Sequence, residues 1–271
     1  MDLLKRSHAP ITDRAWNVID DVAKRALRTN LKSRRIVDVV GPKGWDFPAV
    51  SLGRLNIGEG APRGGVEYGV YRTQPLVEFR VRFTLDLWEL DNLTRGARDV
   101  DLDPLIAASQ TAAHFEDSSV FVGFPPGCIQ GLSESAQQEP LPLPLEVDNF
   151  LDTVSKGVLE LERASVEGPY ALVLGPKSYR VLASAPIGHP LTEQVESILA
   201  GGSLLESDLV DGGFLLSMRG GDFELTIGQD FSIGYETHDT KSVRLFLTES
   251  FTFQVLEPQA ALELKHAVPH G

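Results

Sequence analysis

The sequence predicts an α+β fold, and three observations carry the prediction. Apolar residues recur at every second position in runs near both ends of the chain, the signature of half-buried strands. A helix-spaced apolar stripe precedes the first of those runs. Between them, from about 140 to 220, the spacing turns mainly helical. Strands therefore gather at the two ends, which share one sheet, and the middle forms a second α/β unit.

The first element is a helix. Thr12 is its N-cap, and Asp13 sits where the helix dipole favours a negative charge. Trp16, Ile19, Ala23, Ala26, Leu27 and Asn30 follow at helical spacing, with Val22 beside the stripe, so the helix spans 12–32. Residues 36–50, with Gly41-Pro42 and Gly44, read as a turn-rich connection. Short apolar pairs, Leu55 with Ile57 and Val66 with Tyr68, flank a Gly/Pro-rich tip. They predict a long hairpin that needs support from a neighbour, because a lone hairpin is marginally stable in water. From Val77, apolar residues at 77, 79, 81, 83, 85 and 87 alternate with Glu78, Arg80, Arg82, Thr84 and Asp86, predicting one long strand through residue 93. Trp88 falls on its polar side.

Asp103-Pro104 opens the next helix, with Asp103 as N-cap and Pro104 at N1. The three prolines Pro140, Pro142 and Pro144 mark a boundary. A helix over Val147–Leu161, a buried strand over Tyr170–Leu174 and short helices over 178–183 and 191–200 follow. Phe223, Leu225 and Ile227, then Val243, Leu245 and Leu247, then Phe251, Phe253 and Val255 restore the two-residue period.

Composition bounds the function. The 271 residues suffice for one large domain or two smaller ones sharing a core. A net charge of −13 argues against nucleic acid as the main partner, since phosphate binding needs a basic face. Lys24, Arg25, Arg28, Lys32, Arg34 and Arg35 nevertheless cluster on or just after the first helix, either as a solvated face or as a docking surface for something acidic. One cysteine, Cys128, excludes an intrachain disulfide and fits a reducing compartment, and no run is long and apolar enough for a membrane span. A cytoplasmic location is expected.

The search for chemistry finds little. No phosphate-binding loop, dinucleotide glycine fingerprint or nucleophile elbow is present. Cys128 reads as a small hydrophobe beside a Gly/Pro turn. Asp99, Asp101 and Asp103 have the spacing that opens a calcium loop but lack its glycine and distal glutamate, and read as turn carboxylates. Glu263 and His266 have the Glu-x-x-His spacing of di-iron bundles, in a single copy where two are needed. His8, His114, His189, His238 and His270 have no partner at ligand spacing. The expectation is no catalytic residue and no metal.

Several long strings are distinctive: LKRSHAPIT, IVDVVGPKGW, FTLDLWELDN, EGPYALVLG, RGGDFELTIGQDFSIGYE and VRLFLTESFTFQV. In this order they resemble the encapsulins, bacterial and archaeal protein shells related to tailed-phage capsids. The resemblance covers essentially the whole chain. It implies a tailed-phage major-capsid (Hong Kong 97-type) fold, with a peripheral domain over 1–135 and 221–271, an extended loop at about 46–80 and an axial domain over 136–220. The loop Ala185, Pro186, Ile187, Gly188, His189 and Pro190 would approach the fivefold vertex and line a pore. The implied partner is the chain itself, in an icosahedral shell of about sixty subunits (a 60-mer, T = 1) or a larger one.

The resemblance further implies that the shell encloses cargo enzymes, a dye-decolorising peroxidase or a ferritin-like protein, through their C-terminal targeting peptides. The docking candidates it gives are Ile19, Val22, Ala23, Ala26, Leu27, Leu31, Arg34 and Asp38, with Asp230, Phe231 and Ile233. Redox chemistry would belong to the cargo, so no cofactor is expected. Flavin beside Trp88 is the one candidate, since some shells of the family look able to bind it near this tryptophan. Alternative readings are a prophage major capsid protein, sharing the fold but coating DNA, and a protease or bacteriocin, a label given to related chains.

Overall fold

A computed structural model describes residues 2–58, 65–183 and 191–266. In chain order the elements are α1 (Asp13–Asn30), β1 (Asp38–Val40), β2 (Ala49–Ile57), β3 (Gly69–Pro75), β4 (Val77–Asp86), α2 (Leu87–Arg95), α3 (Asp103–Phe121), β5 (Gly123–Phe124), β6 (Ile129–Gln130), α4 (Leu132–Ser135) and β7 (Leu141–Leu143). After these come α5 (Val147–Arg163), β8 (Tyr170–Leu174), α6 (Pro176–Ala183), α7 (Leu191–Ile198), β9 (Ser203–Glu206), β10 (Gly213–Ser217), β11 (Phe223–Ile227), β12 (Ser232–His238), β13 (Ser242–Val255) and β14 (Ala261–His266). Helices and mainly antiparallel sheet share the molecule, as the sequence predicts.

Two five-stranded sheets organise it. The first is built around β13. Val77 to Asp86 of β4 pair with Phe251 to Ser242 along one edge, while β11 and β12 pair end to end along the other, and β1 adds in parallel to β11. Both ends of the chain thus meet in one sheet. The second sheet runs β7-β14-β10-β8-β9 and carries α5, α6 and α7. α3 lies between the two apolar cores: Ala108 and Ala112 pack with α1 and β4, and Val120 and Phe121 with the second sheet.

Several elements depart from expectation for identifiable reasons. The alternating run does not continue as strand to residue 93. Asp86 accepts from the backbone N–H groups of Trp88 (2.7 Å) and Glu89 (3.4 Å), so it caps α2, and Trp88 lies exposed on that helix. α3 starts one residue early: Leu102 is the N-cap, and the Asp101 carboxylate accepts from the Asp103 N–H at 2.9 Å. The connection 36–50 contains β1. The proline-rich boundary contains β7, which pairs in parallel with β14 at the sheet edge, where a proline costs no ladder bond. β14 also leaves the sheet shared by the chain ends and joins the middle unit. Glu263 and His266 stand on that strand, three residues apart and so on opposite faces, which removes the helical Glu-x-x-His geometry.

The hairpin forms as predicted, with Ile57 opposite Gly69 and Ala49 opposite Pro75. Ile57 and Tyr71 are 71% and 73% exposed, so the chain itself does not cover the hairpin's apolar residues.

Candidate functional site

A groove of about 680 Å³ runs between α1 and the first sheet. One wall is a single face of α1. Asp20, Ala23, Lys24, Leu27 and Arg28, then Leu31 just past the helix end, recur every three or four residues. Thr12 holds that helix in place by accepting from the Ala15 N–H at 3.3 Å, the predicted cap. The opposite wall is Phe231, Ser232 and Ile233 at the start of β12, with Leu247 of β13. Leu4 and Arg6 of the N-terminal arm also line it. The Leu4 carbonyl accepts from the Tyr235 N–H at 2.7 Å, and Arg6 pairs with Asp20 at 2.8 Å while lying over the Trp16 ring.

Arg34 anchors the groove at depth. Its Nε donates to Glu116 Oε1 at 2.9 Å and Oε2 at 3.0 Å, and Nη2 reaches Glu116 Oε2 at 2.6 Å. Nη2 also donates to Glu249 Oε1 at 2.5 Å, and both terminal nitrogens reach Asp230 Oδ1 at 3.0 Å. Its guanidinium lies 5.0 Å from the Phe231 ring, so the same side chain seats an aromatic of the groove wall. The segment after α1, α3, β13 and the turn before β12 are joined by this one cation. The neighbouring Asp117 accepts from the N–H groups of Lys32 and Ser33, both at 2.9 Å, and from the Ser33 hydroxyl at 2.5 Å, fixing the backbone from which Arg34 projects.

The electrostatics follow from burial. Glu116 and Glu249 are fully buried beside one guanidinium. Desolvation pushes both carboxyls up; Arg34 pulls Glu116 back down, while the nearby Glu116 charge adds to the rise at Glu249. The rise is the larger at Glu249, where the Glu116 charge adds to the cost of burial. Its Oε2 is buried and has no hydrogen-bond partner among the described residues. The carboxylates around it hold the Arg34 guanidinium charged above its ordinary range against the opposing cost of burial. At the groove rim, Lys24, Arg28 and Arg35 make no ion pair among the described residues, so the rim is basic in a chain of net charge −13.

Of the expected docking residues, Ala23, Leu27, Leu31, Arg34, Asp230, Phe231 and Ile233 converge on this groove. Ile19 is fully buried in the α1 core, and Val22 packs against the same cluster. Ala26 is half-buried, its carbonyl accepting from the Asn30 side chain at 2.7 Å. Asp38 lies on β1 instead, where it accepts from the Gly221 N–H at 2.6 Å. The vertex loop Ala185 to Pro190 lies outside the described residues. Trp88 stands on α2, 6.0 Å from the Arg95 guanidinium. Sequence reasoning missed Leu4, Asp20, Glu116 and Glu249. The signals for the last two were Glu116-Asp117 in a helix of small residues and Thr248-Glu249-Ser250 inside an apolar strand.

A family model described as "Encapsulating protein for peroxidase" matches residues 1–252. The chain is 42% identical to the type 1 encapsulin shell protein of Rhodospirillum rubrum over 98% of its length and 97% of the relative's. It is 38% identical to that of Mycobacterium tuberculosis, covering 98% and 100% of the two chains. Among solved structures, the virus-like particle of Pyrococcus furiosus aligns with a TM-score of 0.65 at 15% identity, over 92% of this chain and 99% of the other. The capsid of the myovirus XM1 aligns at 0.56 and 10% identity, over 85% and 90%. The fold is thus the tailed-phage capsid fold, the two relatives carry the name of shell proteins, and the chain belongs to the encapsulin shell family.

Proposed function

We propose that the α1–β12 groove docks the C-terminal targeting peptide of a cargo enzyme on the inner wall of an icosahedral shell. The cargo is a dye-decolorising peroxidase or a ferritin-like protein, the shell is built from about sixty copies, and it works in the cytoplasm. The observation that carries the reading is the groove itself, in which seven of the expected docking residues meet around an apolar floor. Its volume suits a few side chains of a peptide, within the roughly 300–1,000 Å³ of ordinary ligand pockets. The description of the matching family, which names peroxidase as the enclosed protein, supports the cargo class. The shell contributes containment, and the chemistry belongs to the cargo.

The test is co-expression of the shell with a fluorescent protein ending in the last residues of a peroxidase or ferritin-like protein encoded beside it. Fluorescence that co-sediments with hollow particles in electron micrographs supports docking. Loading that persists unchanged in a Leu27→Gln shell of normal size overturns the groove as its site.

A further inference from the structure

The groove is bordered by an open strand edge. In an antiparallel pair, alternate residues turn their backbone N–H and C=O groups toward the partner strand or away from it. Tyr235, opposite Leu245, gives its N–H to the Leu4 carbonyl and so faces away from β13. Ile233, opposite Leu247 and two residues earlier, has the same orientation. Its side chain is buried, yet among the described residues no backbone or side-chain group pairs with its outward N–H. An unpaired edge of this kind is a template for another extended segment. The chain's own Leu4 already uses the adjoining position. The register break between Tyr235 and Thr237 ends the straight pairing track on that side.

Resting on the groove being the peptide site, we propose that the occupant binds as a short added strand on β12. Its backbone pairs with Ile233, next to the position held by Leu4, and its apolar side chains at alternate positions fill the floor made by Ala23, Leu27, Leu31 and Leu247. The partner class is an extended peptide whose large apolar residues are spaced by two. A helical segment does not fit this role, because its backbone groups are already paired within the helix.

The test uses the assembled shell co-expressed with a fluorescent protein carrying one of two C-terminal tails. One alternates leucine with serine. The other has the same composition, with leucines spaced for one face of a helix. Loading of the first by at least about tenfold over the second is expected, a modest difference in binding free energy. A proline scan along the alternating tail should then abolish loading only at every second position, where the tail's N–H enters the ladder. Hydrogen exchange at the Ile233 amide should slow in loaded shells. Equal loading of both tails, both lost in Leu27→Gln, would leave the groove as the site and sink the strand mode. No loading of either tail would overturn both readings.

Discussion

Arg34 concentrates more of this molecule's electrostatics than any other described side chain. It holds two fully buried carboxylates and a third, half-exposed one, and removing it would leave Glu116 without a counter-charge in the interior. Arg34→Ala is expected to cost about 3–5 kcal/mol, the range for breaking a buried pair from one side, as measured by chemical denaturation of the shell. Arg34→Lys should recover little of it, because a single ammonium cannot span Glu116, Glu249 and Asp230 together. Glu249 sets a pH dependence. The fold holds its carboxyl well above the ordinary value of 4.5, so its contribution is most favourable below pH 4.5 and is lost as pH rises toward the folded value. Glu249→Gln keeps an oxygen to accept from Arg34 and removes the titration. The variant should melt progressively higher than the parent as pH is raised from about 5 to 8, with the smallest gap at the acid end. A constant gap across that range would show that the fold does not raise the Glu249 carboxyl. Arg34 and Asp230 were visible in the sequence through the family motifs. Their buried partners were not, because charge on a helix or strand reveals its burial only once the opposing element is in place.

At the scale of elements, local chemistry was legible wherever it acted alone. The Thr12 cap and the helical stripe delimit α1 to within two residues at either end, and the two-residue period marks β4, β11 and β13. What misled was a residue serving two elements. The alternation of β4 extends through Leu87, but Asp86 captures two N–H groups and converts the chain to helix. Likewise β7 is specified by its partner β14 and not by Pro142, which alone argues for a break. The β2–β3 hairpin, by contrast, is nearly self-contained. The Leu76 N–H donates to the Pro48 carbonyl at 2.9 Å, so the body closes on itself beneath the hairpin. Excising residues 49–75 and joining the ends by a short turn should therefore leave a folded protein with the circular dichroism of the body. Its particles should be absent or far fewer, since Ile57 and Tyr71, exposed on the single chain, would no longer be there to cover a neighbour. Normal shells from the excised chain would show that the hairpin does not tie subunits together.

For the whole molecule, assembly has to overcome the charge of its own subunits. Each chain carries −13, so a shell of sixty would hold about −780 before counterions. The apolar surface buried between subunits is insensitive to dilute salt, whereas repulsion between subunits is screened over about 8 Å at 0.15 M and about 30 Å at 0.01 M. Lowering the salt therefore extends the repulsion across neighbouring subunits and leaves the attraction unchanged. The basic rim of Lys24, Arg28 and Arg35 is already counted in that total and lies along one groove, so the charge over the rest of the subunit is more negative still. Analytical ultracentrifugation of empty shells should show the particle boundary giving way to smaller species as ionic strength falls toward about 0.01 M, and returning when salt is restored. Replacing Lys24 and Arg28 by glutamine makes each chain more negative and should move that transition to higher salt. Particles that persist unchanged in deionised buffer would mean that interface burial exceeds the repulsion by a margin the net charge does not disclose.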